Sequence, residues 1–272
     1  MSLIVGIDAG GTKLAAGLVR MPGGKILHRQ ESASRRERGG LAVLADCVAL
    51  AQAVAGTQPT AAVGLAVPEL VGPGGVITTG DNWDWRGTDL ATALNWLGPL
   101  HVESDVRAAA LAEARLGAGR GLGSFVYLTV GTGVSHAFVI DGEPWRGERG
   151  NAIVVGAPLA ETEASGPRLA ALAGKARAED VLNCGTDGAA VDAVTAVLAG
   201  ELARLINALD PAAALIGGGL GLAPAFRERL IQKTRPLIYA ERTRELSIRA
   251  AAMGRDAGII GAALVAHLHQ AI

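Results

Sequence analysis

Three glycine turns in this chain each leave an apolar run, and their chemistry is that of anion binding. They are Asp8-Ala-Gly10-Gly11-Thr12-Lys13, Gly131-Thr132-Gly133 and Gly217-Gly218-Gly219. A glycine hairpin aims successive backbone N–H groups at phosphate oxygens, and here Thr12 adds a hydroxyl and Lys13 a charge. Asp8, at the end of its run, suits Mg2+ held through water, because that ion takes few carboxylates and keeps most of its waters. Thr132 and Gly133 make the same offer from the second turn. At the third, Gly218 and Gly219 leave space that bulkier side chains would deny to a flat ligand. An ordinary hairpin explains any one of these turns. Three in this order point to one nucleotide held between two similar halves.

These turns must be positioned by strands. Leu3–Asp8, Leu14–Val19 and Lys25–Ala33 read as a meander opening a sheet, punctuated at Pro22-Gly23-Gly24. Because the first turn is followed by a strand, it fits neither the dinucleotide fingerprint nor the Walker A loop, both of which precede a helix. Residues 40–56 have helical spacing, and Ala61–Val67 reads as a strand buried on both faces. Asp89–Leu97 is expected to be helical, His101–Glu103 a strand and Ser104–Leu116 a helix, with Asp105 placed to serve as its N-cap. The opening pattern then recurs: strand Ser124–Val130, turn, strand Val134–Ile140, and a hairpin turn at Asp141-Gly142. That repetition indicates an internal duplication. Residues 159–209 read as interrupted helices, and Ala212–Ile216 as a strand running into the third glycine turn.

Composition narrows the functional classes. The 272 residues are 50% hydrophobic but only 3% aromatic, and 38 are glycine. Lys and Arg total 25 against 26 Asp and Glu, so the chain lacks the clustered cations of a general nucleic-acid binder. The scarcity of aromatics argues against a base-stacking platform. Cys47 and Cys184 are the only cysteines, too few for a disulfide framework or a cysteine-rich zinc site, and each reads as a small buried hydrophobe. No apolar run reaches the ~20 residues of a membrane span, and the first strand begins at once, so a cytoplasmic protein with no membrane partner is expected.

Taken in order, the motifs resemble the ROK family of sugar kinases, within the actin-like ATPase superfamily. The resemblance runs over nearly the full length. It is carried by Val5-Gly-Ile-Asp-Ala-Gly-Gly-Thr-Lys13, Asp81-Asn82 with Trp85-Arg-Gly87, Glu103-Ser-Asp105 through Glu113, Leu128-Thr-Val-Gly-Thr-Gly133, Asp141-Gly142, Glu161 through Gly166, Gly217–Gly219 and Arg255-Asp-Ala-Gly-Ile-Ile-Gly-Ala262. It implies an α/β fold of two ribonuclease-H-like domains with a cleft between them. The first would cover residues 1–117, joined by a closing helix 257–272, and the second 118–256, hinged near Gly117–Gly123. It further implies ATP as donor (polyphosphate serves some members), Mg2+ as cofactor, a hexose or aminosugar as acceptor, and a homodimer. Asp105 would be the general base and Asn82 a sugar contact. Gly10, Gly11, Thr12, Thr132 and Gly133 would line the phosphates, with Gly218 and Gly219 against the adenosine.

The chain also departs from that family. Where members carry a sugar-binding Glu and a His, aligning Gly147 and Gly150 places Val154 and Ala157. The cysteine-rich zinc segment before Glu161 is missing, so no zinc site is expected. Glu69 stands where glycine is usual, Ser104 where Asn commonly precedes the base, and Ser135-His136-Ala137 replaces a glycine run. Glu69 and His136 either take over a sugar contact or vary neutrally on loop surfaces. Two functions follow: a sugar kinase, or a homologue that lost its sugar pocket and binds nucleotide or sugar without turnover. A repressor is disfavoured, since the phosphate strand starts near Leu3 and no DNA-binding helix-turn-helix precedes it.

Overall fold

A computed structural model of the chain describes residues 1–154, 164–184 and 188–270. It divides into two compact units, one built from Met1–Leu116, Arg146–Ala152 and the segment from Asp256 onward, the other from Gly117–Trp145 and Ile153–Arg255.

The first unit is a five-stranded sheet: β1 (Ser2–Ala9), β2 (Lys13–Met21), β3 (Lys25–Ala33), β4 (Ala62–Val67) and β5 (Leu100–Ser104), in the order β3-β2-β1-β4-β5. The glycine turns make β1, β2 and β3 an antiparallel meander, while β1, β4 and β5 run parallel. Successive side chains along a strand point to opposite faces. Val5 and Ile7 therefore join the core under helix α1 (Gly40–Ala55), whose Val43, Cys47, Ala51 and Val54 are buried at helical spacing. On the other face lies the closing helix Ala257–His269, apolar all round and buried along its first ten residues. It approaches backbone to backbone: a Cβ on Gly6 would stand 2.1 Å from the Ile259 carbonyl oxygen, and one on Gly64 1.9 Å from that of Ala262. Only glycine permits that contact. Helix α3 (Asp105–Leu116) packs on the closing helix in the same way, with Gly261 against the Ala108 carbonyl.

The segment expected to be one helix over Asp89–Leu97 is shorter. Asp89 caps helix α2 (Leu90–Leu94) by accepting from the Thr92 amide, and the chain then tightens into a 3-10 turn, Asn95–Leu97. Gly98, at φ +106°, ends it where a Cβ would strike the Ala61 carbonyl. Ser104, expected in helix α3, instead completes β5 through parallel pairing with Val67.

The second unit repeats the topology. Strands β6 (Ser124–Val130), β7 (Val134–Ile140), β8 (Glu143–Pro144), β9 (Ala213–Gly217) and β10 (Ser247–Ala250) lie in the order β10-β9-β6-β7-β8. Pairing is antiparallel within β6-β7-β8 and parallel within β6-β9-β10. Reading β6 onto β1 superimposes the two orders strand for strand. Asp141 and Gly142 both take positive φ at the β7–β8 turn, as a two-residue hairpin requires. Val126 and Leu128 of the sheet bury against Val194, Leu198, Leu202 and Ile206 of helix Gly188–Leu209. Among the described residues, no helix is long and apolar enough to cross a membrane.

Candidate functional site

In the first unit, three carboxylates gather where parallel strands end. Asp8 is the penultimate residue of β1, Glu69 lies two residues beyond β4, and Asp105 follows β5 directly. Parallel pairing sets Asp8 beside Ala66, Ala66 beside Glu103 and Val67 beside Ser104, so all three share one edge of the sheet. Crevices beyond the carboxyl ends of parallel strands are where α/β folds bind ligands.

Asp105 is both helix start and free carboxylate. Its Oδ1 accepts the Val106 amide at 2.6 Å, and its Oδ2 has no hydrogen-bond partner among the described residues. Burial pushes its pKa up to about 6; the Val106 amide and Arg107 oppose that shift, and the Glu69 charge adds to it. Asp8 packs against the closing helix at Gly258, where a Cβ would sit 2.3 Å from Oδ2. Burial and then the neighbouring Asp105 charge raise it to about 7, against a smaller opposing pull from Arg29. Each charged carboxylate therefore raises the cost of charging its neighbour.

The Gly10–Gly11 turn lies beside Asn82: a Cβ on Gly11 would be 3.2 Å from Asn82 Oδ1. The Thr12 carbonyl accepts the Ser34 amide, and Thr12 itself is exposed. Lys13 begins β2 with its Nζ 3.9 Å from Glu31 on β3. Its charge is thus directed along the strand pair.

Glu69 and His136 do not lie on loop surfaces. Glu69 is 3% exposed and its two oxygens accept from the Thr79 hydroxyl and the Asp81 and Asn82 amides. His136 is 9% exposed within β7, its amide donating to the Ile153 carbonyl, and burial lowers its pKa so that it is neutral near pH 7. The pleat of β7 turns it inward, which a loop reading misses. Val154 is exposed. Ala157 and Glu161 lie outside the described residues, as does the side chain of Cys184.

In the second unit, the Gly131–Gly133 turn meets Gly217–Gly219 at the carboxyl ends of β6 and β9. The latter, expected as a turn, passes instead straight from β9 into a short helix, Gly218–Leu222. A Cβ on Gly131 would be 3.9 Å from the Gly219 amide nitrogen. Gly218 is held at φ +79° with the Val130 carbonyl 2.4 Å from its would-be Cβ, while Gly133 and Gly219 face open space. Thr132 is exposed. A residue outside the expected phosphate set joins them: the Gly166 amide donates to the Gly131 carbonyl at 2.8 Å.

A further cluster was not anticipated. Glu103, four residues before Arg107, is buried with it as an ion pair. Arg107 also donates to the carbonyls of Gly150 and Val71, and Arg146 pairs with the other Glu103 oxygen. Burying a guanidinium is tolerable only when its donors are satisfied. The cluster ties the 146–152 segment to the strand end that carries Asp105. The four-residue Glu–Arg spacing was its only sequence signal.

Comparison with known proteins places this arrangement. The chain is 31% identical to the bifunctional enzyme NanE/NanK of Brucella melitensis over 96% of its own length, and spans about half (53%) of that enzyme. It is 32% identical to the kanosamine kinase of Amycolatopsis mediterranei, over 79% of this chain and 80% of that one. A crystal structure of a ROK family glucokinase from Streptomyces griseus, in complex with glucose and AMPPNP, superimposes with a TM-score of 0.84 at 26% identity, covering 98% and 99% of the two chains. The ROK family model matches residues 4–188 and 160–269. The chain belongs to the ROK family.

Proposed function

We propose that this protein is a sugar kinase that transfers the γ-phosphoryl group of ATP to a hydroxyl of a hexose or aminosugar. One observation carries the reading: Asp8 and Asp105 gather at the ends of parallel strands, and Asn82 comes from a loop to lie against the Gly10–Gly11 turn that follows β1. A sugar hydroxyl is a weak nucleophile, and a carboxylate that accepts its proton as the phosphoryl bond forms typically contributes ~10²–10⁴-fold. Asp105 fits that role, with Oδ1 anchored by the Val106 amide and Oδ2 left to take the proton. The anchored oxygen fixes the carboxylate plane, so the base is positioned before the acceptor arrives.

Asn82 orients the acceptor, and the glycine segments at Gly10–Thr12, Thr132–Gly133 and Gly218–Gly219, of which Gly133 and Gly219 face open space, offer backbone to the nucleotide. Asp8 has the donor chemistry for Mg2+: a partly exposed carboxylate whose charge is disfavoured by burial and by Asp105. When bound, that ion would neutralise charge on the donor phosphates. The relatives that act on glucose and on kanosamine support a pyranose acceptor and leave open which one.

The test is a coupled ADP-release assay over hexoses, free and N-acylated aminosugars and polyols. Turnover on at least one, abolished by Asp105→Asn with nucleotide binding retained, is the expected result. Nucleotide binding with no acceptor-dependent ADP release on any of them would sink the reading.

A further inference from the structure

Glu69 is a buried carboxylate in a loop where glycine would spare the chain its desolvation. Among the described residues, no cation lies within ion-pair distance of it. Its compensation comes instead from one short stretch: Oε2 accepts the Thr79 hydroxyl at 2.6 Å and the Asp81 amide at 3.0 Å, and Oε1 accepts the Asn82 amide at 2.8 Å. Hydrogen bonds to a charged acceptor are roughly twice as strong as neutral ones. The adjacent residue completes the grip, because Asn82 Nδ2 donates to the Pro68 carbonyl at 2.9 Å.

That last bond decides which way the Asn82 amide faces. A backbone carbonyl only accepts, so the atom facing it is the NH₂, and the oxygen is the end turned elsewhere. Oδ1 lies on the side of the Gly10–Gly11 turn, 3.2 Å from the position a Gly11 Cβ would take. Residues 68–69 thus hold both the main-chain amide and the side-chain amide of Asn82. Both Glu69 oxygens are already engaged within the protein, which leaves the acceptor-facing contact to Asn82.

Resting on the kinase reading above, we propose that Glu69 is a positioning residue. It clamps the Asp81–Asn82 backbone so that Asn82 Oδ1 is presented as a fixed hydrogen-bond acceptor, and the sugar must meet it with a donor, a hydroxyl or an amine. An acceptor substrate methylated or deoxygenated at that position is therefore selected against.

The experiment is a double-mutant cycle on acceptor kinetics, using Glu69→Ala, Asn82→Ala and the pair, with Glu69→Gln as the conservative variant. Glu69→Ala is expected to lower kcat/KM for the acceptor by at least about tenfold, mainly through KM, while KM for the nucleotide stays within about twofold. The pair should be no worse than Asn82→Ala alone, since one residue acts through the other. Glu69→Gln, which still accepts from the Asn82 amide but opposes the Asp81 N–H with a donor, should fall between. Hydrogen exchange at the Asp81 and Asn82 amides should quicken in Glu69→Ala, a readout independent of turnover. Losses that multiply in the pair would show Glu69 touching the sugar itself and overturn the proposal. So would a lower Tm with unchanged acceptor kinetics in Glu69→Ala or Glu69→Gln. A wild-type protein that turns over no acceptor would remove the kinase reading, and the proposal with it, even if the exchange experiment showed the clamp intact.

Discussion

At the carboxyl ends of β1, β4 and β5 stand Asp8, Glu69 and Asp105; at the same offsets from the ends of β6, β9 and β10 stand Thr129, Gly219 and Ala251. The hairpin registers make the correspondence explicit, since Asp8 pairs with Ala15 one step before the β1 end, and Thr129 pairs with Ser135 one step before the β6 end. One topology therefore carries a carboxylate cluster in the first unit and no carboxylate at the corresponding positions of the second. The glycines that remain differ as well. Those of the first unit, Gly6, Gly64, Gly258 and Gly261, are spent on packing the closing helix, whereas Gly133 and Gly219 of the second have no atom near the place of a Cβ. On the kinase reading, the duplicated fold places the carboxylate chemistry in the first unit and leaves the open glycines of the second to the nucleotide, alongside the Gly10–Thr12 turn of the first. Substitutions can address each side.

The largest effect is expected in the first unit. Asp105→Asn should reduce turnover by about 10³-fold, within the range of a lost general base, and leave nucleotide affinity within about twofold. The same change should stabilise the nucleotide-free protein at pH 8. The folded carboxyl titrates at about 6 against 3.8 in the unfolded chain. A raised carboxyl favours folding only while protonated, so its contribution falls as pH rises from about 4 through 6 and is fully lost by pH 8. Removing the charge should recover on the order of 1–2 kcal/mol, read as a higher Tm. Lost turnover with an unchanged or lower Tm at pH 8 would mean that the carboxylate is better solvated than its position indicates.

The second unit is tested by two neighbouring glycines. Gly219→Val should leave Tm nearly unchanged, because the space is open, yet raise KM for the nucleotide by about ten- to a hundredfold by filling the place a flat ligand needs. Gly218→Ala should instead cost about 1–3 kcal/mol of stability, from its positive φ and the Val130 carbonyl 2.4 Å away. If Gly219→Val leaves nucleotide kinetics untouched, the third turn has no part in the site and the division of labour between the units fails.

Much of the fold was legible in the chain itself, and the reasons are local. Strand ends were marked by glycine runs, and the recurrence of Thr-Val-Gly-Thr-Gly133 after Asp8-Ala-Gly-Gly-Thr12 exposed the duplication. Asp105 stood where a strand becomes a helix, a junction that composition alone can locate. Glu69 reads in the sequence as a replacement sugar contact or a neutral surface change, and its buried clamp stays hidden, since its partners lie 10 to 13 residues onward in an irregular loop where no periodicity operates. His136 was misread for a related cause. It lies inside the strand between Ser135 and Ala137, where only the pleat register decides that it faces inward. The Glu103–Arg107–Arg146 cluster depends on the 146–152 segment returning to the first unit, a long-range event with no local signature.

A smaller effect concerns pH. The acid limb of acceptor kcat/KM should lie near pH 6, with activity falling below it as Asp105 takes up its proton. Glu69→Gln should shift that limb downward, because the Glu69 charge is one of the causes that raise Asp105. The second-unit change His136→Gln should leave the limb in place, since His136 is not among the groups that shift Asp105. A limb that moves with His136 and not with Glu69 would reverse the assignment of proton chemistry to the first unit.

The smallest expected effect sharpens the boundary of the nucleotide contacts. Lys13 completes the first turn in sequence, and a lysine so placed invites assignment to the phosphates. Its Nζ instead lies 3.9 Å from Glu31, diagonally across the β2–β3 pair, with the side chain 58% exposed. An exposed pair at that separation is worth about 0–1 kcal/mol and is screened by salt. Lys13→Ala should therefore change KM for the nucleotide by less than about threefold and Tm very little, and added salt should shrink both effects. A rise of tenfold or more in nucleotide KM, insensitive to salt, would instead make the ammonium a direct phosphate ligand that leaves Glu31 when nucleotide binds. The first unit would then contribute cationic as well as carboxylate chemistry to the transfer.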